Sequence, residues 1–176
     1  HIPGSWNLDG ELNFSTFAGW VLPPDRDIIL AVHNQDDIPG IIKKFQRVGL
    51  DRIIGFVLGG VQKYALAGKR TGNIRTISVH ELKDLLSTDK NVQVLDVRTW
   101  EEYAGSHIPG SINIHWPDLR IDYVKLTKDN PIAVICGTGS RSGFACSILK
   151  RNGFSDLFNI AGGFTGWIAA GFGDGN

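Results

Sequence analysis

Six consecutive residues, Cys136 to Arg141 (CGTGSR), have the residue types most suited to chemistry in this chain. The cysteine follows an apolar run at 132–135 that predicts a buried strand, and apolar residues recur at helical spacing between 144 and 149. A cysteine between a strand end and a helix N-terminus faces free backbone N–H groups and the positive end of the helix dipole, and Arg141 adds a cation. We therefore predict that Cys136 is a nucleophile that reacts as the thiolate.

The loop after the cysteine is predicted to bind an anionic substrate. Gly137 and Gly139 let the backbone turn its N–H groups towards one point without Cβ clashes. The hydroxyl groups of Thr138 and Ser140 are further donors, and the guanidinium of Arg141 suits a sulfonate or phosphate group. These five residues form the predicted substrate-binding set beside the catalytic cysteine.

Polar residues earlier in the chain are expected near the same edge of the sheet. Asp96 and Arg98 end a strand predicted over 92–97 and are candidates for the pocket wall, although a structural ion pair is the simpler interpretation. Glu102 lies three residues after Thr99, which is the spacing of a capping box at a helix start. We interpret Glu102 as a cap and a surface acid.

The composition and the sequence patterns argue against several classes of binding partner. The 176 residues carry a formal net charge of zero, whereas a dedicated nucleic-acid binder needs a basic surface. No apolar run approaches the roughly 20 residues that a membrane helix needs, so we expect no membrane partner. No phosphate-binding glycine motif and no cluster of metal ligands is visible, so we expect no cofactor and no metal.

Two cysteines do not make a secreted disulfide framework. Cys136 and Cys146 lie at opposite ends of one predicted loop-and-helix unit, which disfavours a bridge between them. Cys146 lies among apolar residues of the helix and is predicted to belong to the core. This usage of cysteine favours a reducing, cytoplasmic setting.

Short phrases recur along the chain at nearly constant spacing. HIPGSWNL at 1 returns as HIPGSINI at 107, and GGVQKYALAG at 59 returns as GGFTGWIAAG at 162. The stretch before the second HIPG has no counterpart in the first copy, so we infer that the chain is a fragment of a longer protein. The predicted organisation is a partial, inactive domain at 1–70 whose front half is absent, a linker at 71–76 and a catalytic domain at 77–176.

The first copy provides an internal control for the site. The position equivalent to Cys136 falls at or beside His33, in the loop HNQDDI. That loop carries two carboxylates and lacks both the cysteine and the closing arginine, so it would repel anions. We predict a structural or interface role for the first copy. The alternative is a first unit that has diverged or been rebuilt, since a domain without its central strands would expose apolar surface.

Strand and helix patterns alternate along the chain, which predicts an α/β protein with a parallel sheet. The predicted strands lie at 27–32, 52–58, 77–79, 92–97, 132–135 and 155–160. The predicted helices lie at 14–20, 41–48, 62–67, 80–86, 99–104 and 117–123, with one after the cysteine loop and one after Gly163. The tail GFGDGN is expected to be frayed.

Three stretches of the second unit resemble the rhodanese (sulfurtransferase) domain: DVRTWEEYAGSHIPGSINI (96–114), VICGTGSRSGFACSILKRNGF (134–154) and NIAGGFTGWIAAGF (159–172). The resemblance implies a rhodanese-like α/β fold, a parallel five-stranded sheet flanked by helices, with the cysteine at the end of a central strand. The first unit resembles an inactive, partial copy of the same domain. The phrase FSTFAGWVLPPDRDIIL (14–30) is similar to the middle of proteins that join a metallo-β-lactamase-fold persulfide dioxygenase to tandem rhodanese modules, which would place such a domain upstream.

The resemblance implies a sulfurtransferase. It would move a sulfane sulfur from thiosulfate or a persulfide to a thiol or cyanide through a Cys136 persulfide, with a small-molecule donor and a thiol acceptor as partners. The six-residue span from Cys136 to Arg141 resembles the sulfurtransferases, because the related phosphatases carry one residue more. Two alternatives remain open: a sulfur-carrier or regulatory module of a larger sulfide-oxidation protein, and a cysteine-dependent phosphatase or arsenate reductase.

Overall fold

The computed structural model describes residues 1–8 and 13–175. Contacts between Cα atoms divide the chain into two units, His1–Asn73 and Ile74–Asn176. Within the described part of the chain, no helix has the length and apolar character needed to cross a membrane.

The described residues of the first unit form a small α/β layer built on two strands. Its elements are α1 (Phe14–Val21), β1 (Ile28–Val32), a 3-10 turn (Gln35–Asp37), α2 (Ile38–Gln46), β2 (Ile53–Leu58) and α3 (Gly60–Leu66). The strands pair in parallel, and the core beneath α1 and α2 includes an edge-to-face pair of Phe14 and Phe45 with ring centroids 4.8 Å apart. The sheet also leaves apolar side chains between 45 and 63% exposed, namely Ile29, Ile54, Phe56 and Leu58.

The second unit alternates strands and helices throughout. Its elements are β3 (Arg75–Ile77), α4 (Val79–Thr88), β4 (Gln93–Asp96), α5 (Trp100–Gly105), β5 (Ile112–Asn113), α6 (Leu119–Asp122), a 3-10 turn (Tyr123–Lys125), β6 (Ile132–Ile135), α7 (Ser140–Arg151), β7 (Leu157–Ile160) and α8 (Gly163–Ala169). The capping box predicted at Thr99 and Glu102 is present at the start of α5, and Ser78 with Glu81 forms a second one at α4.

The strands of the second unit form one parallel sheet in the order β3-β7-β6-β4-β5. Strand β6 is central, and all four of its residues are buried, which explains why its sequence is a continuous apolar run rather than an alternating one. In register, Val134 of β6 lies between Leu95 of β4 and Asn159 of β7. The predicted five-stranded parallel sheet flanked by helices is confirmed.

Helices pack on this sheet and hold the carboxyl end of β6 in place. One core cluster joins β3, β4, β6 and β7 to α4 and α8, with Leu82 and Trp167 among its most buried members. Helix α7 packs on β6 and β7 and buries seven of its residues. The apolar positions predicted for this helix between 144 and 149 are all in that buried set. The chain on either side of Cys136 is therefore held by buried elements.

Two sequence expectations are corrected here. The linker predicted at 71–76 is wrong at its last two positions, because Arg75 and Thr76 pair in register with Phe158 and Asn159. The guanidinium of Arg75 lies 4.7 Å from the centroid of the Phe158 ring, and such a charged residue is tolerated because β3 is an edge strand.

The tail is not frayed over residues 173–175. The indole N–H of Trp167 donates to the Gly173 carbonyl over 3.0 Å, and the Gly175 N–H donates to the His107 carbonyl over 2.7 Å. The hydroxyl of Ser106 donates to the Asp174 carboxylate. These long-range partners are not visible in the local composition of the tail.

Candidate active site

Cys136 directly follows the central strand β6, at the edge of the sheet where ligands bind in open parallel α/β folds. Its side chain is fully buried. The N–H of Gly139 donates to Sγ over 3.1 Å, and Oγ of Ser142 lies 3.4 Å from Sγ. Because α7 begins at Ser140, the sulfur lies against the N-terminal turn of a long helix, as the sequence predicted.

Helix α8 holds the cysteine loop from the other side. The N–H of Phe164 donates to the Cys136 carbonyl over 2.7 Å, and the N–H of Thr165 donates to the Gly137 carbonyl over 3.1 Å. A trans peptide points its N–H opposite to its C=O, so these bonds direct the next two N–H groups of the loop away from α8. Gly163 permits this approach: its φ is +56°, and a Cβ there would overlap both carbonyl oxygens.

The five residues of the predicted substrate-binding set all lie in this loop or in the first turn of α7. Gly137 and Gly139 are partly buried, whereas Thr138 and Ser140 are exposed. Gly139 has a φ of +122°, a conformation that favours glycine, and it is the N-cap residue of α7. The structure thus places the set in one loop and helix turn directly after Cys136, and the N–H of Gly139 contacts the sulfur.

Arg141 is bound by Glu102 of α5. Nη1 donates to Oε2 over 2.7 Å and Nη2 donates to Oε1 over 2.8 Å, which is a bidentate pair. The sequence predicts only a capping and surface role for Glu102 and leaves the guanidinium of Arg141 available for a substrate anion. In this structure one edge of that fork is taken by a carboxylate, which the capping box on Thr99 holds in reach.

The ion pair shifts the pKa of both side chains. Hydrogen bonds from Arg141 are the main cause that lowers the pKa of Glu102 from 4.5 to about 2, and burial opposes them. The same hydrogen bonds raise the pKa of Arg141. The two side chains are 24% and 36% exposed for Arg141 and Glu102, so the ion pair lies at the surface of the site rather than in the core.

Asp96 and Arg98 form a buried ion pair beneath the site. Their closest distance is 2.7 Å, from Nη2 to Oδ2, and Nη2 also donates to the Ser106 carbonyl over 2.7 Å. The guanidinium lies 4.0 Å from the centroid of the Phe164 ring on α8. The structure therefore places both residues in a structural clamp between β4, the turn after α5 and α8. The sequence allows two roles for these residues, a part of the pocket wall or a structural ion pair, and the structure shows the ion pair.

Two polar residues that form a hydrogen-bonded chain to the sulfur were not identified from the sequence. Ser142 is completely buried in the first turn of α7, and its hydroxyl contacts Sγ of Cys136. The same hydroxyl donates to Oδ1 of Asn159 over 2.7 Å. A usable signal was present, since Asn159 lies in the strand predicted over 155–160, next to the cysteine strand in a parallel sheet.

Cys146 lies in the core, as predicted. It is fully buried on α7, and burial, with a smaller contribution from Cys136, raises the pKa of its thiol. A neutral buried thiol is a poor nucleophile, which agrees with a core role for Cys146. The assignment of Cys136 as the nucleophile stays a prediction.

The comparisons with known proteins agree with this geometry. The family model of the rhodanese-like domain matches residues 78–170, more than half of the chain. Thiosulfate sulfurtransferase GlpE of Pseudoalteromonas translucida is 34% identical over 94 residues, which are 53% of this chain and 89% of that protein.

A second curated relative is longer than the matched region. YrkF of Bacillus subtilis, a protein whose name proposes a role as a sulfur carrier, is 31% identical over 101 residues, 57% of this chain. The match spans only 55% of that protein.

A solved structure has the same fold. The crystal structure of a rhodanese-related protein from Thermoplasma volcanium is 34% identical, with a TM-score of 0.53, and the match covers 57% of this chain and 97% of that one. The family model, the parallel sheet and the cysteine loop at its edge lead to one conclusion: this chain belongs to the family of rhodanese-like domains.

Proposed function

We propose that this protein is a sulfurtransferase that carries a sulfane sulfur on Cys136, from thiosulfate or a persulfide to a thiol or cyanide. The observation that carries the proposal is the position of Sγ, between the Gly139 N–H and the N-terminal turn of α7. Family membership supports it, because a curated relative of 34% identity is named as a thiosulfate sulfurtransferase.

The first step loads the cysteine. The Cys136 thiolate attacks the outer sulfur of thiosulfate, a bond forms between the two sulfur atoms, and the S–S bond of thiosulfate breaks. Sulfite leaves with the electron pair of that bond, and the enzyme retains a persulfide anion on Cys136. The loop N–H groups and the helix dipole stabilise this anion as they stabilised the thiolate.

The second step transfers the outer sulfur from Cys136 to the acceptor. An acceptor thiolate or cyanide attacks the outer sulfur of the persulfide, and the Cys136 thiolate leaves with the electron pair of the bond that breaks. The products are an acceptor persulfide or thiocyanate, together with the starting enzyme. The sulfur atom and both electron pairs balance over the cycle, so the proposal requires no oxidant or reductant.

Intact mass measurement tests the proposal. The chain is exposed to thiosulfate and, separately, to glutathione persulfide, and excess donor is removed before analysis. We expect a gain of one sulfur atom in the wild type and in Cys146→Ser, and no gain in Cys136→Ser. A phosphatase would instead show no sulfur gain and would release phosphate from a nitrophenyl phosphate ester in a Cys136-dependent reaction.

A sulfur-carrier role is the second candidate, favoured by the complete burial of the Cys136 side chain. A carrier would protect its persulfide and release it only to a protein partner that opens the loop. Steady-state assays separate the two roles. Repeated turnover with glutathione or cyanide as the acceptor supports the enzyme, whereas a single loading followed by no transfer to either small molecule supports the carrier.

A further inference from the structure

The hydroxyl of Ser142 has more acceptors around it than it has protons. Its Oγ lies 2.7 Å from Oδ1 of Asn159, 3.0 Å from the Gly139 carbonyl oxygen and 3.4 Å from Sγ of Cys136. A serine hydroxyl donates one hydrogen bond and accepts up to two. The three neighbours therefore compete for one proton, and the shortest of the three contacts is the one to Asn159.

The protonation state of the cysteine decides which arrangement is stable. When Cys136 is a thiol, its S–H can donate to Oγ while the hydroxyl donates to Asn159, so both bonds are made. When Cys136 is a thiolate, it has no proton to give, and the hydroxyl must turn towards Sγ or leave two lone pairs facing each other. Because Ser142 is fully buried, water does not compensate for an unfavourable arrangement.

We propose that Asn159 and Ser142 form a positioning pair, in which Asn159 holds the hydroxyl proton in the resting thiol and Ser142 turns it to Sγ when the thiolate forms. Asn159 thus opposes ionisation of Cys136, and Ser142 favours it. This inference deepens the proposed function and rests on it in one respect, namely that Cys136 reacts as the thiolate.

The charged groups around the cysteine loop are not part of this rearrangement. Arg141 and Cys146, both on α7, interact electrostatically with Cys136, and Asp96 on β4 interacts with Arg141. Glu102 on α5 is paired with Arg141. Substitution of Ser142 or Asn159 by a neutral residue alters none of these charges, so its effect reports on the hydrogen bonds.

The test measures thiolate formation in the full chain, by the rate of Cys136 alkylation with iodoacetamide and by the ultraviolet absorbance of the thiolate as pH is raised, with Cys136→Ser as the blank. Ser142→Ala should slow alkylation about ten-fold at neutral pH, because a hydrogen bond to an anion is lost. Asn159→Leu, which has the same number of side-chain heavy atoms, should speed it about five-fold, because the nearer of the two competing neutral acceptors is lost and only the Gly139 carbonyl remains.

The double variant Ser142→Ala/Asn159→Leu provides the decisive comparison. When the Ser142 hydroxyl is absent, removal of the Asn159 amide should leave the alkylation rate within about two-fold of that of Ser142→Ala alone. Because Asn159→Leu by itself should change the rate about five-fold, this result would show that the two positions are coupled. Ser147→Ala is the matched control, since Ser147 is a buried serine of the same helix whose hydroxyl donates to the Phe144 carbonyl. It should leave both readouts unchanged.

Three results would overturn the inference: an equal effect of Asn159→Leu in both backgrounds, no effect of Ser142→Ala, or an equal effect of Ser147→Ala. The absorbance readout does not depend on access of the reagent to a buried thiol. Failure of the proposed function is distinguishable, because neither readout requires a sulfur donor. If the protein takes up sulfur but shows no coupling between Ser142 and Asn159, only this inference fails. If the coupling is found but no sulfur is taken up, only the proposed sulfurtransferase function fails.

Discussion

Glu102 shows how one carboxylate serves two elements. It accepts from the Thr99 N–H at the start of α5 and from both terminal nitrogens of Arg141. In Glu102→Gln the capping function survives, because glutamine also suits this helix position, but the charge pair is lost. We expect the free energy of unfolding to fall by only about 1 kcal/mol, since both side chains are partly in solvent.

Urea denaturation at neutral pH measures this change. Glu101→Gln is the matched control: it removes an adjacent, exposed carboxylate on the same helix without touching Arg141. A loss of stability in Glu101→Gln as large as that in Glu102→Gln would show that helix charge, and not the ion pair, accounts for the effect.

The pH dependence of the same pair follows from the lowered pKa of Glu102. The ordinary value is 4.5 and the folded value is about 2, so the folded state favours the carboxylate. Its contribution is complete above pH 4.5, declines below it and is lost as the pH falls through about 2. The stability difference between wild type and Glu102→Gln should follow this course in thermal melts at stepped pH. A difference that stays constant down to pH 2 would contradict the assignment.

At the scale of elements, the contact between α8 and the cysteine loop depends on one glycine. A Cβ at Gly163 would overlap the carbonyl oxygens of Cys136 and Gly137, and the φ of +56° disfavours any other residue. Gly163→Ala should therefore lower the free energy of unfolding by about 3 kcal/mol, as backbone strain and overpacking add. It should also reduce sulfur loading of the protein that remains folded, because the loop must shift.

Gly110→Ala separates the two causes. Gly110 has a φ of +77° but nothing within 4 Å of its added Cβ, so only the backbone term of about 1–2 kcal/mol applies. Calorimetry and mass measurement on the two variants make the comparison. Unimpaired loading in Gly163→Ala would mean that the loop tolerates the displaced helix.

The elements around the site were predictable where one local rule decides them. The apolar run before Cys136 gave β6, the spacing of Phe144 and Ile148 gave the buried face of α7, and Thr99 with Glu102 gave a helix start. In contrast, β5 consists of two residues that become a strand only by pairing with β4. The bond of Glu102 to Arg141 spans 39 positions, so the local signal of the cap concealed the second role.

At the scale of the whole molecule, the two units differ in how completely they bury apolar surface. The first unit leaves Phe56 and three other apolar side chains of its two-stranded sheet largely exposed, whereas the described sheet of the second unit has five strands. The family model covers 78–170, so the interpretation of the first unit as a partial copy of the same domain stays a prediction. The same holds for an upstream metallo-β-lactamase-like domain and for a cytoplasmic location.

The second unit contains everything that the proposed chemistry uses. Cys136, its loop, the Glu102–Arg141 pair and the Ser142–Asn159 pair all lie after Ile74, on a sheet with its own core beneath α4 and α8. A segment with a complete sheet and a continuous core is expected to fold alone. We therefore predict that residues 74–176, expressed without the first unit, give a cooperative thermal transition and load one sulfur atom from thiosulfate at the rate of the whole chain.

Residues 77–176 are the sharper comparison, because they lack Arg75 and Thr76 of β3. That shorter segment loses the pairing of β3 with Phe158 and Asn159 of β7 and should melt at a lower temperature. Because Asn159 orients Ser142, the shorter segment should also take up sulfur at a different rate from the longer one. Equal behaviour of the two segments would restore the linker boundary that the sequence predicted, and failure of the longer segment to fold would show that the first unit is required for stability.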